Sequence, residues 1–270
     1  MYIDNLIQYI VFSAKVLYNS FGDNMELFEH FIKTDTVFFK HAKGKSSLSG
    51  KEFHIYNEII YFIGGNAELI TEFTHLKIEP NTLIVIPKET YHQVKIIGNE
   101  ENYHRCILNF SVPYTCKFSF TKADNETKYL FSKLINNVES EEKEEILNAV
   151  LTLLLNKLSK ESEQISYPKT QNPLILKCIN YINDNLSQNL KAEIIAKHCN
   201  ASVSGISHLF SKEINISLHR YITEKRLIVA YQKISIGEPA TSVYLECGFK
   251  DYSNFYRQYK KMFGFPPSKG

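Results

Sequence analysis

From about Met25 onward the hydrophobic pattern of this chain changes period once, close to residue 120, and a fold that satisfies one half cannot satisfy the other. From about Met25 to Pro113, apolar residues come in short β-rich runs: Glu58–Ile63, Leu83–Ile86, Gln93–Ile97 and Cys106–Phe110. Gly64-Gly65, Glu79-Pro80-Asn81 and Gly98-Asn99 divide them. Short strands with regular turn signals predict a small barrel or jelly roll. From Asp124 the period is helical. Leu130 and Leu134 mark one helix, and Ile146, Leu147, Val150, Leu151, Leu154 and Leu158 mark another, with the acidic run Glu139–Glu145 as a solvated turn or first helical turn. The second helix is apolar over more than one face. It either closes its own barrel or keeps the stripe Ile146–Leu158 for a partner helix in a homodimer.

The rest of the chain sets the compartment and the partners. Ser159–Asn172 is polar, contains Pro168 and ends against Pro173, so it reads as a linker. Leu6, Ile7, Ile10, Val11, Ala14 and Leu17 recur at helical spacing behind Asp4, which predicts a short amphipathic helix rather than a secretion signal. No run approaches the roughly 20 apolar residues that cross a bilayer, so no membrane partner is expected. Five scattered cysteines without a C-x-x-C pair predict buried thiols in a reducing compartment, hence a cytoplasmic protein. From Leu174 onward there are 13 Lys+Arg against 7 Asp+Glu, leaving 18 against 22 for the preceding residues. A basic tail behind an acidic front points to a polyanion partner for the tail.

The tail repeats one unit: short helix, turn, longer helix. Pro173 opens a helix with Leu174, Cys178, Ile179 and Ile182 on its apolar face. A second covers about Leu190–Cys199. After Asn200-Ala201-Ser202 a third begins near Ser204, capped by Ser202 or Ser204, with Ile206, Leu209, Phe210 and Ile214 inward. That leaves Ser204, Ser207 and His208 outward on the first turns, with Lys212 beyond. A long helix, about Leu218–Ile234, carries Arg220, Lys225, Arg226 and Lys233. Pro239 opens a short helix that stops at Cys247-Gly248, the glycine suiting a left-handed cap. In Tyr252–Phe263, Phe255, Tyr259 and Met262 face inward; Tyr252, Ser253, Tyr256 and Arg257 face outward, followed by Lys260 and Lys261. Gly264-Phe265-Pro266-Pro267 ends it.

The run Gly248-Phe249-x-Asp251-x-Ser253-x-Phe255-x-Arg257-x-Tyr259-Lys260-x-x-x-Gly264-x-x-Pro267 closely resembles the end of the AraC/XylS regulator DNA-binding domain. Leu190, Ala196, Ser202, Phe210, Tyr221-Ile222, Arg226-Leu227 and Ala230 fall in the same register. The resemblance covers roughly Leu174–Gly270. It implies two recognition helices placed about 34 Å apart in successive major-groove faces of double-stranded DNA. On that reading Arg257 is the strongest base contact, because an outward arginine can bind guanine bidentately. His208 reads a base or covers the helix–phosphate seam, and Lys212, Arg220, Lys260 and Lys261 hold phosphates. Three positions depart from the family. Tyr244 stands where a small Ala is usual, Ala240 where a larger aliphatic is usual, and Asn215 replaces a Gly.

In the front half, Glu52-x-His54-x(3)-Glu58-x(6)-Gly65 and Asn81-x(5)-Pro87-x-Glu89-x(2)-His92 resemble the two motifs of the cupin barrel. The first His has become Glu52, and two expected glycines have become Asn81 and Glu89. Three or four N/O ligands could hold a divalent metal, and the alternative reading is therefore a metal-dependent cupin enzyme fused to a DNA-binding domain. The stretch also looks like the sensor version of the barrel, which works without metal. That version implies a small-molecule effector, with carbohydrates among the candidates, at His54, Tyr56, Glu58, Tyr61, His92 and Arg105, and no catalytic residue, cofactor or metal. The expected fold class is α+β in two domains: an N-terminal cupin-like β-barrel with flanking helices, and a C-terminal all-α domain with two helix-turn-helix motifs. The expected segments are a sensor over 1–120, a helical packing or dimerisation segment over 121–160, a linker over 161–172 and the DNA-binding domain over 173–270. Function is read as effector-controlled transcription regulation, by a homodimer that can also engage RNA polymerase.

Overall fold

The computed structural model describes residues 30–44, 51–72, 74–112, 114, 116–161 and 172–267. The expected N-terminal amphipathic helix and most of the expected linker lie outside them. The chain divides into two compact units. One takes in Phe21–Ile70 and His75–Pro168; the other takes in Lys169–Gly270 with the short segment Thr71–Thr74.

In the first unit the described strands are β1 (His30–Lys33), β2 (Val37–Lys43), β3 (Lys51–Glu52), β4 (Asn57–Gly64), β5 (Ala67–Thr71), β6 (His75–Ile78), β7 (Thr82–Ile86), β8 (His92–Ile96), β9 (His104–Phe110) and β10 (Ser119–Lys122). They form a six-stranded antiparallel sheet in the order β1-β2-β9-β4-β7-β10 and a four-stranded sheet in the order β3-β8-β5-β6. Among the described residues these are two separate sheets rather than one closed ring. They share an apolar interior of Ile60, Phe62, Ala67, Leu69, Ile78, Ile84, Ile86 and Ile107.

The other face of the large sheet is covered by α1 (Asn125–Asn136) and α2 (Lys143–Glu161). Ile59, Tyr61, Val85, Leu108 and Phe110 meet Leu130, Phe131, Leu134, Leu147, Leu151 and Leu154 there. This explains why β4, β7 and β9 read as unbroken apolar runs: strands buried on both faces lose their alternation. It also consumes the stripe that the sequence offers to a partner helix. Leu147, Val150, Leu151, Leu154 and Leu158 are all buried in the chain's own core, and Leu153 is left exposed.

At Gly65 (φ +101°) a Cβ would lie 2.9 Å from the Asn102 carbonyl oxygen, so the β4–β5 turn requires glycine. Asn81 and Glu89, where the family resemblance expects glycine, keep the left-handed backbone at φ 62° and 64°. All five cysteines are free, four of them buried and Cys116 half-buried. Burial pushes the Cys116 and Cys178 thiols up to about 12 and Cys247 to about 11.

The helical unit contains α3 (Pro173–Asp184), α4 (Ala192–His198), α5 (Val203–Ile214), α6 (Leu218–Ser235), α7 (Ala240–Glu246) and α8 (Tyr252–Phe263). Helix α6 buries residues around its whole circumference, including Leu218, Tyr221, Ile222, Leu227, Ala230, Tyr231 and Ile234. It is therefore the shared core of two motifs. Phe210 of α5 packs edge-on to Tyr221 at 5.2 Å, and Phe263 of α8 lies 5.0 Å from Tyr231. The third inward residue of α8 is Phe263, not Met262, which is half-buried.

Asp124 caps α1 by accepting from the Thr127 backbone N–H at 2.9 Å, and Lys157 of α2 bonds both Asp124 and Glu126. The Lys157 hydrogen bond holds the Asp124 carboxyl down at about 2. A depressed carboxylate stabilises the fold above its ordinary pKa, and that stability is lost as pH falls through the folded value. Asp124→Ala should cost about 1 kcal/mol in urea unfolding at neutral pH. Asp124→Asn keeps a capping oxygen but loses the Lys157 ion pair, so it should lower stability at neutral pH and flatten the further loss between about pH 4 and about 2.

Candidate functional site

Both recognition helices start on capped, exposed first turns. Ser202 Oγ accepts from the Gly205 N–H at 3.1 Å and starts α5; an Asp251 carboxylate oxygen accepts from the Asn254 N–H at 2.7 Å and starts α8. Ile206, Phe210 and Ile214 face the core from α5, and Phe255, Tyr259 and Phe263 from α8. By helical period the opposite face is solvent: Ser204, His208, Lys212, Ser253, Arg257, Lys260 and Lys261 are exposed, and Ser207 and Tyr256 are half-exposed. Tyr252, expected outward, is half-buried, its ring edge-on to Tyr244 at 5.4 Å and 5.9 Å from Phe255. It therefore serves partly as packing.

A groove of about 960 Å³ opens between the motifs, lined by Ser207 and Ser211 from α5, His219 and Arg226 from α6, and Lys250 and Asn254 at the start of α8. Sequence reasoning missed Ser211, His219, Lys250 and Asn254, whose placement depends on how the motifs pack. The cations of α6 are largely committed within the unit. Lys225 pairs at 2.9 Å with the buried Glu72 carboxylate, which also accepts from Tyr221 Oη at 2.7 Å. Lys233 pairs with Glu238 and Glu246. Arg226 donates from Nε to the Leu186 carbonyl at 2.8 Å and from Nη2 to the Gln188 carbonyl at 2.6 Å. Arg220 is exposed and bonded to Glu224 one turn on, at 2.6 Å.

Residues 195–269 match the model of a helix-turn-helix domain family, which spans both recognition helices. Over that stretch the chain is a helix-turn-helix protein, and it is similar to transcription regulators. It is 24% identical over 226 residues to the probable transcriptional regulator LumQ of Photobacterium leiognathi, covering 80% of this chain and 89% of that one. It is 31% identical over 145 residues to the arabinose operon regulatory protein of Escherichia coli, covering 52% and 49%. Among solved structures, ToxT from Vibrio cholerae matches over 87% of this chain and 95% of that one, at 13% identity and a TM-score of 0.40.

The three departures from the AraC/XylS resemblance are absorbed locally. Tyr244 is half-buried against Tyr252 and Phe255 while Ala240 beside it is buried, and the cap of α8 is intact. Asn215 closes α5 in the left-handed conformation at φ 64°.

The sheet unit of the regulator has a polar end to its interior. Strand alternation turns Lys40, Glu58, Arg105 and Asn109 onto the face opposite Ile59, Leu108 and Phe110, and all four are buried. Glu58 Oε2 lies 3.0 Å from His92 Nε2 and 3.7 Å from His54 Nε2, while Asn109 Nδ2 donates to Glu58 Oε1 at 2.8 Å. His54 stacks on Tyr56 with ring centroids 4.0 Å apart, and Arg105 lies over the Tyr103 ring at 4.3 Å.

Burial opposes the charge on Glu58, yet the facing His54 and His92 rings pull its carboxyl well below the usual range. Burial likewise depresses His92, but the Glu58 carboxylate outweighs it and raises the ring to about 9. Burial lowers Lys40 to about 8. The structure thus brings together His54, Tyr56, Glu58 and His92, while Arg105 shares their face of the sheet but stands opposite Phe62, four residues along β4 from Glu58. Tyr61 does not join them: it sits on the other face of β4, 5.0 Å from Phe131, with its Oη donating to Asn81. Lys40 and Asn109 were missed, although a polar residue inside the apolar runs Val37–Phe39 and Leu108–Phe110 or at their ends was the available signal.

Gly248 has φ +82°, and a Cβ there would fall 2.8 Å from the Arg226 guanidinium, which two carbonyls pin in place. Gly248→Ala should destabilise the regulator by about 1–2 kcal/mol in urea unfolding.

Proposed function

We propose that this regulator reads duplex DNA with α5 and α8 in successive major grooves, and that a ligand at the polar end of the sheet unit controls that reading. The carrying observation is the pair of capped helix starts. Each exposes short polar side chains on its first turn with cations behind them: Ser204, His208 and Lys212 on α5, and Ser253, Arg257, Lys260 and Lys261 on α8. Recognition helices enter the major groove by that end. On this reading Arg257 contacts a base, and Lys212, Lys260, Lys261 and the exposed Arg220 contact phosphates that fix register without reading sequence. Helix termini and the groove between the motifs add Lys250 and Asn254 to the surface offered to the backbone.

The sheet unit is a sensor, not an enzyme, on this proposal. A ligand acts by binding one of two states of the protein more tightly, and its leverage on DNA binding equals that difference. His54, Tyr56, Glu58, His92 and Arg105 are its effector site. The regulator works in the cytoplasm and meets RNA polymerase at promoters. Self-association has Tyr129 and Leu153 as its exposed large apolar residues on α1 and α2. That leaves little apolar surface for a partner on these two helices; the homodimer stays part of this proposal, and a monomer in sedimentation at micromolar concentration would count against it.

Gel shifts on the natural operator test the DNA reading. Arg257→Ala should cost about 1–3 kcal/mol and relax preference at one base pair, whereas Lys261→Ala should weaken all sequences alike and lower the salt slope by about 1. Unaltered affinity and preference in Arg257→Ala would remove the base-contact assignment.

A further inference from the structure

A polar hairpin turn belongs at a protein surface, and the turn between β5 and β6 does not stay there. Thr71, Glu72 and Thr74 are 2%, 0% and 2% exposed. The segment Thr71–Thr74 groups with the helical unit, although the residues on either side of it belong to the sheet unit. Within the helical unit Glu72 reaches α6. One carboxylate oxygen accepts from Tyr221 Oη at 2.7 Å, and the other lies 2.9 Å from Lys225 Nζ. Lys225 Nζ also stands over the Tyr221 ring, 5.5 Å from its centroid. Burial and the adjacent carboxylate push the Tyr221 phenol well above its ordinary value, so it remains a donor.

Three properties make this a latch and not merely a piece of core. It is all-or-none: a buried carboxylate that lost one partner would stand uncompensated, so it keeps both or leaves for water. The turn can also leave as a body. The Thr71 N–H donates to the Thr74 carbonyl at 2.8 Å and the Thr74 N–H to Thr71 Oγ1 at 3.0 Å, bonds that do not involve α6. Finally, the turn is joined to the cluster around Glu58. Strands β8 and β5 are neighbours in the small sheet, and just past the end of β8 the Ile97 N–H donates to the Asn66 carbonyl, just before β5, at 2.8 Å. The two strands therefore run antiparallel, which sets the His92 end of β8 beside the Thr71 end of β5. Glu72 is the next residue.

We propose that Glu72 latches α6 and holds the helical unit in its weaker DNA-binding form, until a ligand at the His92 end of β8 withdraws the turn. The direction follows from charge. The latched carboxylate neutralises Lys225 in a unit whose excess of cations attracts a polyanion, and its departure restores that charge. The inference rests on the reading of α5 and α8 as DNA readers and of the His92 cluster as the effector site, and it names how the second governs the first.

The full chain carrying Glu72→Gln or Tyr221→Phe tests the latch without any effector. The amide keeps the volume of Glu72 and drops its charge; phenylalanine keeps the ring against Phe210 and drops the donor. Each should keep the native circular dichroism and bind the natural operator more tightly in gel shifts, by about tenfold for Glu72→Gln. In the double variant Tyr221→Phe should add little, because both changes open one contact. Unaltered or weaker operator binding by the folded variants overturns the latch. So does loss of the native circular dichroism in both, which would make Glu72 a structural support. Hydrogen exchange on the same proteins without DNA reads the turn by itself. The Thr71 and Thr74 amides should exchange about tenfold faster in Glu72→Gln, with Ile60 in β4 unchanged. Equal protection in wild type and Glu72→Gln likewise overturns the latch. If wild type and variants all leave the operator unbound while exchange at the turn accelerates, the DNA reading fails and the docking of the turn by Glu72 stands.

Discussion

Two recognition helices can read one duplex only if their spacing is fixed, and here the fixing runs through α6 and the Arg226 side chain it carries. The guanidinium reaches back to the carbonyls of Leu186 and Gln188, ahead of α4, while its other side is closed by Gly248, ahead of α8. One planar fork thus touches the lead-in to both motifs. A lysine would bring the charge without the fork. The apolar half of the same job falls to Tyr221 and Tyr231, each packed on an aromatic ring from a different recognition helix.

The sheet unit shows the opposite economy. Its large sheet is dry on the helix-covered face and carries Lys40, Glu58, Arg105 and Asn109 on the inner one. Charges inside a core are generally less stabilising than well-packed apolar side chains of the same size. Four buried polar groups along one face of an otherwise aliphatic interior therefore signal use rather than support. Around Glu58 the facing His54 and His92 rings offset part of that cost and move Glu58 and His92 away from their ordinary titration ranges, whereas Lys40 is moved by burial itself.

What could be read from residues alone depended on whether the cause was local. The bounds of α8 follow from Asp251 and Gly264, a cap and a left-handed stop that act within one turn. Asn81 and Glu89 keep the backbone of the glycines they replace, so the motif spacing survived the loss of the residue type. Faces of doubly buried strands were not legible. β4 is apolar on both sides; alternation alone puts Tyr61 and Glu58 on opposite faces, but only the helices over one face tell which of the two looks into the interior. Likewise Phe263 rather than Met262 turns inward because Tyr231 waits on α6, a contact from outside the helix. The surplus apolar stripe of α2 looked like a partner surface because its true partner, the outer face of the sheet, is far away in sequence.

The thiols have a practical consequence. Cys106, Cys178, Cys199 and Cys247 are enclosed, Cys116 is half-enclosed, and burial keeps all five largely protonated at neutral pH. Alkylating dyes attack thiolates, so the native chain offers them a poor background. A single cysteine introduced at exposed Ser204 or Ser253 would be the fast-reacting one. Fluorophores could then be seated on each reading head in turn, without first stripping the protein of its own sulfur.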